Sequence, residues 1–436
     1  MIKFSSILDL QLQAVLQVRS EVSPDPIVDH FSDSSTDRVP RLSTTRVMLT
    51  HRVPRLISKG RCLIKRSVSK SAVEHTASDS QPIFTTEILK HLPSGKGATF
   101  LDATFGSGAH SRLLLDRLED VILLAADCDR EATECAERLS EVPEYNNSLF
   151  PIRSRFSTLP YALNALEVEP GTLDGMIIDT GCNEMQLQDV RRGFSPLNPD
   201  GILDLRYDPD LQPDLPTGSD LLQRLGEREL QKILRQYGYM VRSGKFASNA
   251  ILEARYMFHR FHSVGVRNYI FLRFVFLTLR IFLQEIASIL QPAANEMAAR
   301  TGEDPDTLHK RMLFGTITGL RSFINNDLHE LEYALRVVAA RYLRPDSGVL
   351  FLITHMNNEE RIGRRCLVRS NVSDNVTQEL RMTEDEVAKV KEEHPWDILC
   401  DVTKAQSKRK IEAGGLPGFG LSNLIIARKT KYHRVE

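Results

Sequence analysis

Three stretches of this 436-residue chain place side chains at spacings that suit a nucleoside-like cofactor. The first is Leu101–Ser111, LDATFGSGAHS. An apolar run delivers Asp102, Gly106 and Gly108 allow a tight turn, and a helix is predicted to start near Ser111. Backbone N–H groups at such a turn, with no side chains in the way, let a ligand come close. The second is Asp127, at the end of the next apolar run, where a carboxylate can accept both hydroxyls of a ribose. The third is Asp179, closing the run LDGMIID and so pointing into the crevice where sheets of this kind hold ligands. Helix N-capping is the other ordinary role of an aspartate there. The spacing fits NAD as well as S-adenosylmethionine, although Ser111 stands where the dinucleotide fingerprint has its third glycine, which leans against NAD. Downstream, Arg191-Arg192-Gly193-Phe194-Ser195 and Asp200–Arg206 form a long polar, turn-rich connection, a length that usually marks function. An aromatic flanked by arginines can stack on a flipped base and position it.

These residues need an alternating α/β frame. Short apolar runs at Thr99–Thr104, Val121–Ala126, Leu149–Arg153 and Leu173–Asp179 read as buried strands, with helices predicted over Ser111–Leu118 and Arg130–Leu139. After Tyr207 the pattern becomes helical with Pro and Gly breaks to about Leu313. A long helix is then predicted over Gly319–Tyr342, and strands over Gly348–Thr354 and Leu421–Ala427. The expectation is a doubly wound parallel sheet with a helical insertion after the fourth strand.

At this level of detail the chain resembles the RsmH/MraW-type methyltransferases, which modify the cytosine 4-amino group in small-subunit ribosomal RNA. The resemblance runs in blocks from roughly residue 75 to 365. LDATFGSGAHS is similar to the family's DATFGxGGHS, with Ala109 replacing a glycine; AADCD is similar to its A-x-D-x-D, and RFSTL to its xFxxL. IIDTGCNEMQLQDVRRGFS, DGILDLR and LRSFINNDLHELEYAL resemble three further blocks. The resemblance implies an α/β, Rossmann-like class I methyltransferase sheet using S-adenosyl-L-methionine. It implies cofactor contacts at Gly108, Ala109, His110, Asp127, Phe156, Asp179 and Gln186, with Asp179 also the catalytic candidate. On the RNA side it implies Arg192, Phe194, Asp204, Arg206, Arg321 and Asn325. The chain departs from the family at Gly181-Cys182-Asn183-Glu184 (family GVSS), at Ile202, and at Thr354–Arg361, where the histidine is displaced by one. It also departs at Leu416–Leu421, where two family arginines are gone. These changes keep a second reading open, a non-catalytic ribosome assembly factor with the same fold.

Composition sets the outer bounds. A net charge of −1 argues against coating nucleic acid by charge alone but leaves room for a local basic groove. Six scattered cysteines without a C-x-x-C pair read as reduced thiols, with no metal site expected. Arg38–Lys70 holds about ten basic residues and no acid, the composition of an organelle transit segment, whereas Met1–Asp37 carries six acids. Met48 is therefore the better start of a leader; taken with the resemblance above, this implies a mitochondrial matrix protein acting on the small ribosomal subunit, with a homodimer open. The predicted organisation is a leader over 1–72, a methyltransferase domain over 73–206 and 315–436, and a helical insertion over 207–314. Tyr269–Leu290 is strongly apolar, but Arg273 and Arg280 interrupt it, so a membrane span is not expected; a buried helix or a translated intron is.

Overall fold

The computed structural model describes residues 82–93, 96–196, 198, 200–238, 240–263, 283–367, 396–405 and 421–430. The expected leader, residues 269–282 of the apolar run, and residues 416–420 lie outside them.

A short helix α1 (Thr85–Lys90) precedes β1 (Thr99–Asp102), α2 (Ala109–Arg117), β2 (Ile122–Asp127), α3 (Arg130–Ser140), β3 (Leu149–Arg153), α4 (Leu159–Ala165), β4 (Gly175–Asp179) and α5 (Glu184–Gln188). Five longer segments follow: α6 (Gly218–Arg224), α7 (Glu227–Gln236), α8 (Gly244–Ser263), α9 (Leu283–Thr301) and α10 (Pro305–Asn325). The chain returns through α11 (Asp327–Tyr333), a π-helical turn (Ala334–Ala339) and α12 (Ala340–Tyr342) to β5 (Val349–Thr354), α13 (Asn357–Leu367), β6 (Trp396–Ala405) and β7 (Leu421–Lys429).

The sheet order is β3-β2-β1-β4-β5-β7-β6. The first five strands in that order are parallel, and every residue of β1 and β5 is buried, as expected where helices cover both faces. Gly175 opens β4 because Phe100 of the neighbouring strand lies over it; a Cβ there would fall inside the ring. The carboxyl ends of β1, β2, β4 and β5 open onto one crevice, the place where such sheets bind ligands.

Two expectations are corrected. The sheet is not wholly parallel, since β7 runs antiparallel to β5, and β6, which sequence patterning did not reveal, runs antiparallel to β7. The long helix expected over Gly319–Tyr342 is two helices. The first, α10, starts earlier, at Pro305, where the Asp304 side chain accepts the Thr307 N–H. It stops at Asn326, whose φ of 59° puts it in the left-handed region that asparagine tolerates at a helix end. That break turns α11 toward the crevice. The intervening helices pack on one another, α9 against α8 and α10, and α7 against α8 and α10. Helix α10 crosses residues 314 and 315 without interruption. No described helix is long and apolar enough to cross a membrane.

Candidate functional site

The β1–α2 turn is built around two aspartates. Asp102 is buried, taking the Ser111 hydroxyl at 2.6 Å and the Thr104 N–H at 3.2 Å, and its burial raises its pKa. Asp127 takes the Gly106 and Asp129 N–H groups, one on each oxygen, both at 2.9 Å. Burial, then the charge of Asp129, pushes its carboxyl up to about 7. Gly108 caps α2 with φ 83°, and a Cβ there would strike the Phe105 ring. The glycine requirement at 108 is thus set by both the left-handed backbone and the packing of Phe105.

Asp179 sits at the tip of β4, its N–H held by Thr104 Oγ1 at 2.7 Å. Two histidines bracket its carboxylate. His355 Nε2 is 2.6 Å from Oδ1, and His110 Nδ1 is 3.8 Å from Oδ2. The far side of the His355 ring meets Ser422 Oγ at 2.8 Å. Glu359 fixes this corner, since its Oε2 accepts the N–H groups of His355 and Met356 at 3.0 Å and the Thr180 hydroxyl at 2.7 Å. The divergent Thr354–Arg361 segment therefore places a histidine on the candidate catalytic carboxylate.

Helices α10 and α11 form the opposite wall. Arg321 is buried, with Nη1 2.6 Å from Cys182 Sγ and Nε 3.8 Å from Asp327 Oδ2; its Nε has no hydrogen-bond partner among the described residues. Burial pushes the Asp327 carboxyl up to about 7 and the Cys182 thiol up to about 11. Glu330 reaches across to the RFSTL block, accepting the Ser157 N–H at 2.9 Å and its hydroxyl at 2.7 Å, with Arg155 at 3.3 Å. Asn325 clamps the 205–207 backbone: its Nδ2 donates to Leu205 O at 2.7 Å and its Oδ1 accepts the Tyr207 N–H at 2.9 Å. Asn325→Ala leaves both groups without that partner, and a loss of about 1–3 kcal/mol in urea unfolding is expected. An unchanged unfolding midpoint would mean the loop is held without Asn325.

Between these walls lies a cavity of about 710 Å³, of the size that holds a nucleoside and a second small group. Of the residues singled out in the sequence, Ala109, His110, Asp127, Phe156, Asp179, Gln186, Phe194, Arg321 and Asn325 line it. Gly108, Arg192, Asp204 and Arg206 do not. Arg192, expected on the RNA side, instead closes Nη1 and Nη2 on buried Asp129, at 2.6 and 2.9 Å. Gln186 joins the same carboxylate at 2.6 Å, and Asp129 also caps α3 through the Glu131 N–H. Asp204 and Arg206 pair with each other at 2.8 Å. Phe194 stands edge-on to Tyr207, 5.5 Å between centroids, and both rings face the cavity. Sequence reasoning missed His355, Tyr207, Glu330 and Asp327. A histidine immediately after β5 was the one available signal, because β5 lies beside β4 in this topology.

The glycine turn, the acid ending β2 and the acid ending β4 lie around one cavity of a doubly wound α/β protein. Residues 77–264 match the model of the MraW methylase family. The chain is 36% identical over 287 residues to the 12S rRNA N(4)-cytidine methyltransferase METTL15 of Bos taurus, covering 66% of this chain and 64% of that protein. It is 32% identical over 329 residues to the protein of that name in Pongo abelii, covering 76% and 73%. It is 31% identical over 286 residues to the ribosomal RNA small subunit methyltransferase H of Granulibacter bethesdensis, covering 66% and 73%. The chain belongs to the MraW methylase family.

Proposed function

We propose that this protein is an S-adenosylmethionine-dependent methyltransferase acting on the exocyclic 4-amino group of a cytidine in mitochondrial small-subunit rRNA, in the matrix. The observation that carries the reading is the joint placement of Asp127, Asp179 and the Phe194–Tyr207 pair on one cavity. The relatives' names supply the substrate class.

The residues present fit the cofactor. Asp127 is placed to accept the ribose hydroxyls, the Gly106–Ala109 turn leaves room beside them, and Phe156 offers an apolar face for the adenine. The cofactor supplies an electrophilic methyl group on a sulfonium. The protein's own task is to seat the amine, exclude water and dispose of a proton. A cytosine amine is a weak nucleophile because its lone pair is conjugated with the ring. Asp179, by accepting one N–H of that amine, directs the lone pair out of the ring, and Phe194 with Tyr207 offers the base an aromatic wall. Arg321, buried beside Cys182, is assigned to the substrate half, with Asn325 as its support. Arg192, Asp204 and Arg206 are assigned to support, holding the loops that frame the cavity.

The test is methyl transfer from labelled S-adenosylmethionine to small-subunit rRNA, with nucleoside mass spectrometry of the product. N4-methylcytidine formed by the wild-type protein and lost in Asp179→Ala is the expected result. Binding of cofactor and rRNA without any methylated cytidine would refute the assignment and favour the assembly-factor reading.

A further inference from the structure

The relatives' names say nothing of how the proton leaves, and the geometry around Asp179 points to an answer. We propose that His355, acting through Asp179, receives the proton released on methylation, with Ser422 setting the tautomer of its ring. The proposal rests on the methyltransferase reading above.

The Asp179 carboxylate belongs to the end of β4, the His355 ring to the residue after β5, and the Ser422 hydroxyl to β7. Sheet order brings them into line, because β4, β5 and β7 are neighbours. The 2.6 Å and 2.8 Å contacts occupy both ring nitrogens. A serine hydroxyl either donates or accepts, so the imidazole is able to keep its proton on Nε2, facing Asp179, or on Nδ1, facing Ser422. In the second state Nε2 is the unprotonated nitrogen, able to take a proton from Asp179 Oδ1 across the 2.6 Å contact once that oxygen has gained one. The backbone of the histidine is anchored independently by Glu359, so the ring is held in place without depending on a ligand.

The step balances as follows. The amine lone pair forms the N–CH₃ bond while the S–CH₃ pair returns to sulfur, leaving a neutral thioether and one surplus proton on the amine nitrogen. With the ring proton on Nδ1, toward Ser422, that proton passes to Asp179 Oδ1 and on to His355 Nε2, giving an imidazolium beside a carboxylate, and from there to solvent. The other titratable groups around the pair are His110 on the opposite carboxylate oxygen, Asp102 behind it, and Glu359 below the ring. Arg321 and Asp327 face the same cavity from α10 and α11. His110 is poorly placed for the same task, being 3.8 Å from Asp179, with Nε2 3.3 Å from the Ile83 carbonyl.

His355 is a positioning and proton-accepting residue, and its test needs more than loss of turnover. Single-turnover methylation with His355→Gln is expected to run about a hundredfold slower at pH 7, the low end for acid–base assistance. With S-adenosylmethionine saturating at every pH, so that Asp127 does not enter, the acid side of the pH–rate profile should flatten in this variant, while calorimetric affinity for S-adenosylmethionine at pH 8 stays within twofold. His355→Ala should regain at least tenfold on addition of imidazole. Independently of turnover, 15N spectra of the ligand-free protein should show the ring proton of His355 redistributing between Nδ1 and Nε2 when Ser422 becomes Ala. A His355→Gln enzyme with the wild-type rate and pH profile would overturn the relay and leave the methyltransferase reading standing. So would a tautomer ratio that ignores Ser422→Ala. A wild-type protein that methylates no cytidine would overturn both.

Discussion

Asp127→Ala is expected to lower the affinity for S-adenosylmethionine at least a hundredfold at pH 8. The carboxylate is the one group at the end of β2 able to take two ribose hydroxyls. Hydrogen bonds to a charged acceptor contribute about 1.5–3 kcal/mol each, and roughly 1.4 kcal/mol is a factor of ten. The wild-type protein should also show a pH dependence that the variant lacks. Burial and the charge of Asp129 hold the Asp127 carboxyl near 7, so the acceptor form is lost as pH falls through that value. Affinity should drop about tenfold between pH 8 and 6. The same shift has the opposite effect on stability. Folded Asp127 binds a proton between its ordinary carboxylate range and about 7, where the unfolded chain does not. Stability from this group is therefore full at low pH and declines as pH rises through that window. Titration calorimetry at three pH values decides the matter; equal affinities for variant and wild type would remove Asp127 from the cofactor site.

The largest loss of stability is expected from Asp208→Ala. Asp208 follows the Asp204–Arg206 turn and closes on Arg153 at the end of β3, with Nε at 2.7 Å and Nη2 also bonded. The two side chains are 4% and 8% exposed, so truncation strands a guanidinium in the interior. Removing one partner of a buried pair costs about 3–5 kcal/mol. The variant also loses the acceptor for the Asp210 and Leu211 N–H groups. The urea midpoint should fall with little change in slope. A loss below about 1 kcal/mol would show that Asp210, 3.6 Å from the same guanidinium, takes over.

The parts of the molecule that sequence patterning conveys are those whose signal is local. Strands β1, β2, β4 and β5 are buried along nearly their whole length, so each is an apolar run, and β1, β2 and β4 end on an acid. Asp127 and Asp179 stand out because they terminate such runs. Strand β6 does not show this way, for WDILCDVTKA keeps polar residues toward solvent at the edge of the sheet. Asn326 breaks a helix by one left-handed residue, while the apolar spacing continues through Leu331 and Leu335 as if no break existed. Arg192 sits in a segment composed like an RNA-gripping loop, and only the tertiary position of Asp129 reveals it as a structural cation. His355 is the clearest case. Its partner Asp179 lies 176 residues away, and nothing in the intervening sequence announces that the two strand ends are neighbours.

That same separation has a consequence for the birth of the protein. When a ribosome has finished β4, the strand that must cover its open edge is still unmade. At about 5–20 residues per second, synthesis of the intervening stretch takes roughly 9–35 s. Throughout that interval β4 lacks the strand that pairs with it on that side, and an unpaired, largely apolar edge is the kind of template that recruits other strands. The helices between the two halves are also made before β5. Yield of active protein should therefore depend on holdase chaperones and on translation speed more steeply than its equilibrium stability alone would indicate.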